Sequence, residues 1–328
     1  MVFYDQNRNG VLDGFEPTRL GGVTVAAAGR TTVTEPRTGR AALLAVAAGS
    51  QTFRMQPGTL PPFFVPVEVT ATVPFSSPLP LPVRLPIGRN FPGVYMTVGD
   101  SITLGDGAAP GLAYPFVLER RLREEFGQAV VVNEPIDGGR TFQGAVALPR
   151  QLEQHRPAYV TIMYGTNDWN ECKDSPACLG THEGLRDMVR EVRLNDSLPL
   201  LATILPSNTG FDDRAPPQRN EWVEEINAFV RSIAVEEGAV LVDLHEAFWR
   251  ESGGNLPLLF ADHIHPNNRG HALIAEEFTR AITTAAGTGT LALVDAWPAG
   301  LDDGPPPLFD PLQRPRPSLL DRPGRPAR

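Results

Sequence analysis

From residue 93 to about 284 the chain alternates short apolar runs with amphipathic stretches, and this alternation constrains the fold more than any other feature. The runs at 94–98, 129–132, 159–163, 198–205 and 239–244 read as buried strands. Between them, 115–126 and 142–155 carry helical spacing. Thr181 is expected to cap a helix presenting Leu185, Met188, Val189 and Val192 on one face. Trp222, Ile226, Phe229, Val230 and Ile233 line another helix, stopped by Gly238, and a last one runs from Pro266 to about 284. Strands buried on both faces, each followed by a helix, predict a parallel sheet between two helical layers. The expected class is α/β: a flavodoxin-like three-layer α/β/α domain over 93–286.

Outside that region the pattern changes. Residues 20–25 and those after them alternate like short strands with Gly and Pro turns, so 1–88 is expected to be a small all-β domain. Residues 74–92 hold Pro74, Pro78, Pro80, Pro82, Pro86 and Pro92, which suits an edge strand or a stiff linker. The boundary is placed at 89–92. Residues 287–328 lose periodicity and become rich in Pro and Arg, as in a loosely draped tail.

Composition excludes some function classes. With 41% hydrophobic and 20% charged residues the chain is globular in character. Its net charge of −9 argues against a nucleic-acid partner. No apolar run approaches the length of a membrane span. The opening Met1-Val2-Phe3-Tyr4-Asp5 lacks the features of a signal peptide, and its abruptness suggests a missing upstream leader or domain, through which the chain could be anchored at a cell surface. Cys172 and Cys178 flank a polar, turn-like segment. Two unpaired thiols would fit a cytosolic chain, whereas a disulfide, favoured by that polarity, would fit a secreted or cell-surface one.

Two stretches carry chemistry of different kinds. In residues 5–16, Asp5, Asn7, Asn9, Asp13 and Glu16 place side-chain oxygens at loop positions 1, 3, 5, 9 and 12, with Gly10 at the sharp turn and the Val11 carbonyl between. This is the ligand spacing of a twelve-residue Ca²⁺ loop. The second stretch, Gly99-Asp100-Ser101-Ile102-Thr103, follows a buried strand, where the chain turns and can expose a nucleophile. A serine needs a base, and Asp262-His263-Ile264-His265-Pro266 offers His265, with Asp262 placed to fix its tautomer. Acyl transfer also needs oxyanion donors. Gly138, after the second strand, can present its backbone N–H, and Asn167, after the third, its side-chain amide. Trp169, Asn170 and Lys173 are expected to shape the substrate pocket.

Residues 2–10, Glu16-Pro17 and 22–25 resemble the calcium-binding B-type repeats of bacterial surface proteins (SdrD B-like, Cna-B-like). That resemblance implies a β-sandwich with a structural Ca²⁺ and a spacer role. The serine, glycine, asparagine and histidine blocks together resemble the SGNH (GDSL-type) hydrolases. This second resemblance implies Ser101 as nucleophile, His265 as base, Asp262 as its orienter, and an oxyanion hole from the N–H groups of Ser101 and Gly138 with Asn167. Asp137 departs from the family's pattern, which often has Ser before the glycine. The expected activity is hydrolysis of carboxylic esters, on acetylated carbohydrate or short-chain acyl groups, with no catalytic cofactor. The alternatives are a lysophospholipase or thioesterase of the same family, or a surface scaffold whose hydrolase-like domain is inactive.

Overall fold

A computed structural model describes residues 1–172 and 179–284. The expected Cys172–Cys178 disulfide, the pocket residue Lys173 and the 287–328 tail fall outside the described residues. The strands are β1 (Val2–Tyr4), β2 (Thr24–Ala27), β3 (Arg30–Val33), β4 (Gly49–Met55), β5 (Val65–Pro66), β6 (Val69–Val73), β7 (Leu81–Arg84), β8 (Phe91–Gly99), β9 (Val130–Pro135), β10 (Pro157–Met163), β11 (Leu198–Ala202) and β12 (Val240–Val242). The α-helices are α1 (Ser101–Leu104), α2 (Tyr114–Phe126), α3 (Thr141–His155), α4 (Trp169–Cys172), α5 (Leu179–Leu194), α6 (Gln218–Glu236), α7 (Leu244–Ser252) and α8 (Asn268–Thr283).

The last five strands form one parallel sheet in the order β12-β11-β10-β8-β9. Counted from β8 this is the 2-1-3-4-5 order of doubly wound flavodoxin-like sheets. The sheet needs a continuous apolar centre, and β10 supplies it, with every residue from Pro157 to Met163 buried. Each face packs its own helices. Leu118 and Leu122 of α2 join Ile274 and Phe278 of α8 in one cluster. Leu148 of α3, Met188 of α5 and Ile226 of α6 belong to the other.

Four local expectations differ from the structure. The 239–244 run is a strand only to Val242, because Asp243 caps α7, its side chain accepting from Glu246 N. Thr181 is not a cap: α5 begins at Leu179, and the Thr181 hydroxyl donates instead to Asp168 Oδ1 at 3.0 Å. Pro266 precedes α8 rather than opening it. Asn267 is the N-cap, its Oδ1 accepting from the amides of Arg269 (2.9 Å) and Gly270 (3.2 Å). Residues 203–205 lie beyond β11, because Asn227 of α6 takes over both backbone groups of Ile204, at 2.8 and 2.9 Å.

The N-terminal region holds an antiparallel sheet ordered β3-β2-β4-β6 and a small mixed sheet ordered β1-β7-β5. β7 is therefore a middle strand, not an edge, despite Pro82. It holds because the Pro82 carbonyl still accepts from Val67 N (3.1 Å). This region shares its core with the α/β region. Tyr4 packs edge-on against Phe64 (5.0 Å between centroids) and Phe126 of α2 (6.3 Å). Phe63 meets Tyr159, which stacks on Tyr95 at 5.3 Å and 6°. Gly93, near the start of β8, approaches Gln6, and Gly127, just before β9, approaches Pro17, so the β region covers the end of the sheet opposite its carboxyl edge.

Truncating one of these rings should therefore be felt across the whole molecule. Tyr4→Ala is expected to cost about 3–5 kcal/mol. The urea midpoint at which ester hydrolysis disappears should fall together with the midpoint at which the amides of β2 and β4 lose hydrogen-exchange protection. A shift in the second that left the activity midpoint in place would show two independently folding units.

Candidate active site

The site sits at the carboxyl ends of β8, β9 and β10. β8 ends at Gly99, where a Cβ would collide with Thr103 Oγ1 and with the Met163 carbonyl on β10, so only glycine lets the chain turn this tightly. Asp100 caps the following turn, its Oδ1 accepting from Ile102 N at 3.0 Å. That cap places Ser101 as the first residue of α1. Gly105, in the left-handed region at φ +116°, ends the turn.

Ser101, Asp262 and His265 come together as the sequence predicts. Ser101 Oγ lies 2.9 Å from His265 Nε2, and His265 Nδ1 lies 2.7 Å from Asp262 Oδ2. Asp262 Oδ1 also accepts from the amides of Ile264 (2.8 Å) and His265 (2.7 Å). Burial alone would raise the Asp262 carboxyl. Its hydrogen bonds from the His265 ring and these amides outweigh burial and hold it below its ordinary value. An ionised Asp262 fixes the proton on Nδ1 and leaves Nε2 to accept from Ser101. The segment is braced by Ala261 N donating to the His265 carbonyl (2.8 Å) and by Asn267 Nδ2 donating to the Phe260 carbonyl (3.3 Å). His263 lies beside the triad, its Nδ1 3.7 Å from Asp262 Oδ1 and 3.9 Å from Asp212 Oδ2.

Gly138 follows β9 with φ +63°, and Asn167 follows β10. Asn167 Nδ2 donates to the Gly139 carbonyl at 3.1 Å and reaches Asp100 Oδ2 at 3.4 Å, so these contacts bring the glycine and asparagine blocks beside the serine turn. Among the described residues the amides of Ser101 and Gly138 carry no hydrogen bond and are free to donate. Trp169 is not a pocket wall: it is buried against Trp222, with ring centroids 5.7 Å apart.

Four supporting residues escaped the sequence reading. Asp168 accepts from Thr141 Oγ1 (2.5 Å), Thr141 N (3.1 Å) and Thr181 Oγ1, tying the loop after β10 to α3 and α5. Arg219, buried on the first turn of α6, donates from Nη2 to the Thr166 carbonyl at 2.7 Å. Burial lowers its pKa to about 10, opposed by the field of Asp100. Asp100 is itself fully buried, and burial pushes its carboxyl up to about 7. His271 accepts from Tyr114 N on Nδ1 (3.2 Å) and donates from Nε2 to the Asp106 carbonyl (3.0 Å), so it is neutral with its proton on Nε2. Asp100 stands inside the Gly99–Thr103 motif and Asp168 directly follows Asn167, so both could have been recognised as loop-bracing carboxylates. Arg219 and His271 carry no local signal.

The predicted calcium residues lie far from this site, beside the C-terminal end of α2, where Thr18 Oγ1 donates to the Glu125 carbonyl (3.3 Å). Asp5 and Glu16 are buried. Glu16 accepts from the amides of Gln6 (2.8 Å), Asn7 (3.3 Å) and Asp13 (3.1 Å), and Asn7 and Asn9 both donate to Asp13 Oδ2, at 2.7 and 2.8 Å. Asp5 Oδ2 pairs with Arg84 Nε at 2.9 Å, while Asp5 Oδ1 is buried without a partner. Val11 is exposed. No group of three or more His, Cys, Asp or Glu side chains gathers as a metal cluster among the described residues. The loop's remaining oxygens come from Asn7, Asn9 and a carbonyl.

Residues 97–273 match the sequence model of the GDSL-like lipase/acylhydrolase family. An esterase of Pseudomonas aeruginosa, TesA, is 30% identical over 172 residues, covering 52% of this chain and 78% of that protein. The acetylxylan esterase of Geobacillus stearothermophilus is 28% identical over 208 residues, covering 56% of this chain and 91% of that protein. The crystal structure of the acetyl xylan esterase AlAXEase is similar in fold, with a TM-score of 0.50 at 18% identity, covering 58% of this chain and 99% of that one.

Asp100 generates a pH prediction. A carboxyl raised on folding binds its proton more tightly in the native state, so it favours folding at low pH. Its contribution is lost as pH rises from about 3.8 to about 7. Asp100→Asn keeps the cap but cannot ionise. Its denaturant midpoint, relative to the natural chain, should climb across that window and level off above it. A constant difference from pH 4 to 8 would show that Asp100 does not titrate there.

Proposed function

This chain belongs to the GDSL-like lipase/acylhydrolase family and is a carboxylic ester hydrolase, and we propose that it works through an acyl-enzyme on Ser101, with acetylated carbohydrates or other short-chain acyl esters as substrates. The observation that carries the mechanism is the unbroken line Asp262–His265–Ser101, at 2.7 and 2.9 Å. The similarity to an acetylxylan esterase supports the substrate class.

In this mechanism Ser101 Oγ attacks the ester carbonyl as its proton passes to His265 Nε2. Asp262 stabilises the imidazolium that forms. The amides of Ser101 and Gly138 hold the oxyanion, with Asn167 Nδ2 exchanging its long contact to Asp100 Oδ2 for it, and each such donor contributes about 10²–10³ in kcat. Collapse of the intermediate breaks the ester C–O bond, and His265 returns the proton to the leaving alcohol. Water, deprotonated by the same nitrogen, then releases the acid and regenerates Ser101. Asp168 and Arg219 position the loop carrying Asn167.

The 5–16 loop is proposed as a structural Ca²⁺ site held by Asp5, Asn7, Asn9, the Val11 carbonyl, Asp13 and Glu16. The unpartnered, buried Asp5 Oδ1 and the convergence of Asn7, Asn9 and Asp13 support the fit. A hard cation there would neutralise the loop's carboxylates, of which Asp5 is paired with Arg84. A secreted or surface location suits such a loop, since extracellular Ca²⁺ saturates weak sites.

Hydrolysis of p-nitrophenyl esters from acetate upward tests the mechanism. Ser101→Ala should lose about 10³-fold or more, and turnover should be highest on the shortest acyl chains. No turnover by the folded natural chain on any ester would favour an inactive scaffold. A preference for long chains would favour the lysophospholipase or thioesterase reading. Calcium removal is a separate test: EGTA should lower Tm by several degrees and leave turnover at 25 °C in place. Loss of turnover in a still-folded chain would overturn the remote, structural assignment.

A further inference from the structure

Asp106 is the unabsorbed group nearest the reacting atoms. Its Oδ2 lies 3.9 Å from His265 Nε2, the nitrogen that serves Ser101. That distance is too long for a hydrogen bond. Among the described residues no hydrogen bond engages its carboxylate, and the side chain is 48% exposed.

The backbone beneath it is locked. Asp106 N donates to the Ser101 carbonyl at 3.0 Å, and the Asp106 carbonyl accepts from His271 Nε2 at 3.0 Å. Gly105 and Gly107 flank it in the left-handed region, at φ +116° and +89°. A Cβ on Gly107 would collide with the Pro266 carbonyl, and Ala109 N donates to Asn268 Oδ1 at 2.8 Å. The loop and the His265 segment are thus interlocked, so the Asp106 backbone holds a set place beside His265 while the carboxylate oxygens stay open.

We propose that Asp106 is a specificity-determining residue, which selects alcohols bearing a free hydroxyl next to the esterified one, as partially acetylated sugars do. The inference rests on the assignment of Ser101 and His265. The leaving oxygen must come within hydrogen-bond reach of His265 Nε2 to collect its proton. A hydroxyl on the adjacent carbon is then close enough to donate to Asp106 Oδ2. That bond satisfies the carboxylate and orients the alcohol for protonation. The same charge disfavours alcohols that carry an anionic group there.

Two esters that differ by one hydroxyl read this out: cyclohexyl acetate and trans-2-hydroxycyclohexyl acetate. The natural chain should prefer the hydroxylated ester by about 10-fold in kcat/KM, the scale of a hydrogen bond to a charged group. In Asp106→Ala the preference should vanish, and in Asp106→Asn it should be intermediate. A third ester, trans-2-carboxycyclohexyl acetate, should be disfavoured by the natural chain and relieved of that handicap in Asp106→Ala. A preference that survives in Asp106→Ala would overturn the proposal. An equal fall on all three esters would also overturn it, by showing that Asp106 acts only through His265. Ser101→Ala run on the same esters separates the two levels: turnover persisting there would refute the mechanism itself, whatever Asp106 does.

Discussion

The site depends on how closely β8 and β10 approach at their carboxyl ends. Gly99 stands opposite Met163 across the sheet, and the lack of a side chain at Gly99 lets the chain turn straight into Asp100 and Ser101. The same pair of strands is the point where the sheet order reverses, which opens a crevice between the loops that follow them. The Ser101 turn leaves one strand and the Asn167 loop leaves the other. Asp100 is where they meet, capping the first with one oxygen and reaching Asn167 with the other. Burial raises its carboxyl, opposed by the hydrogen bond from Ile102 N and by the field of His265.

Much of this architecture was legible in the sequence, for a definite reason. A doubly wound sheet writes itself as apolar runs between amphipathic ones, and all five strands of the parallel sheet lie where those runs predict. The serine, glycine, asparagine and histidine blocks were equally visible, because each sits at a strand end or helix start where local chemistry dominates. What was hidden depends on contacts between distant segments. Arg219 looks like one more charged position on an amphipathic helix, and only the fold shows it buried beneath Thr166. Thr181 looks like a cap, but Asp168 claims its hydroxyl from another loop. Pro82 looks like an edge-strand residue, yet its carbonyl is enough to keep a middle strand paired on that side.

The two ends of the parallel sheet carry different burdens. The carboxyl end is polar and held by short side-chain hydrogen bonds. The amino end is aromatic and held by ring contacts among Tyr4, Phe63, Phe64, Tyr95, Phe126 and Tyr159. Burial raises the phenols of Tyr4, Tyr95 and Tyr159 well above their usual range, so this end stays neutral at any pH the protein would meet.

That aromatic seam bears on how such a chain could be assembled from parts. A recombination event that joined a different β module at residue 88 would have to reproduce a surface complementary to the stacked Tyr95–Tyr159 pair. One that removed the module would leave those rings facing water as a contiguous apolar patch beside open strand ends, an aggregation liability. The N-terminal region is therefore not an interchangeable cassette. Its inheritance is tied, through a handful of rings, to the catalytic sheet it covers.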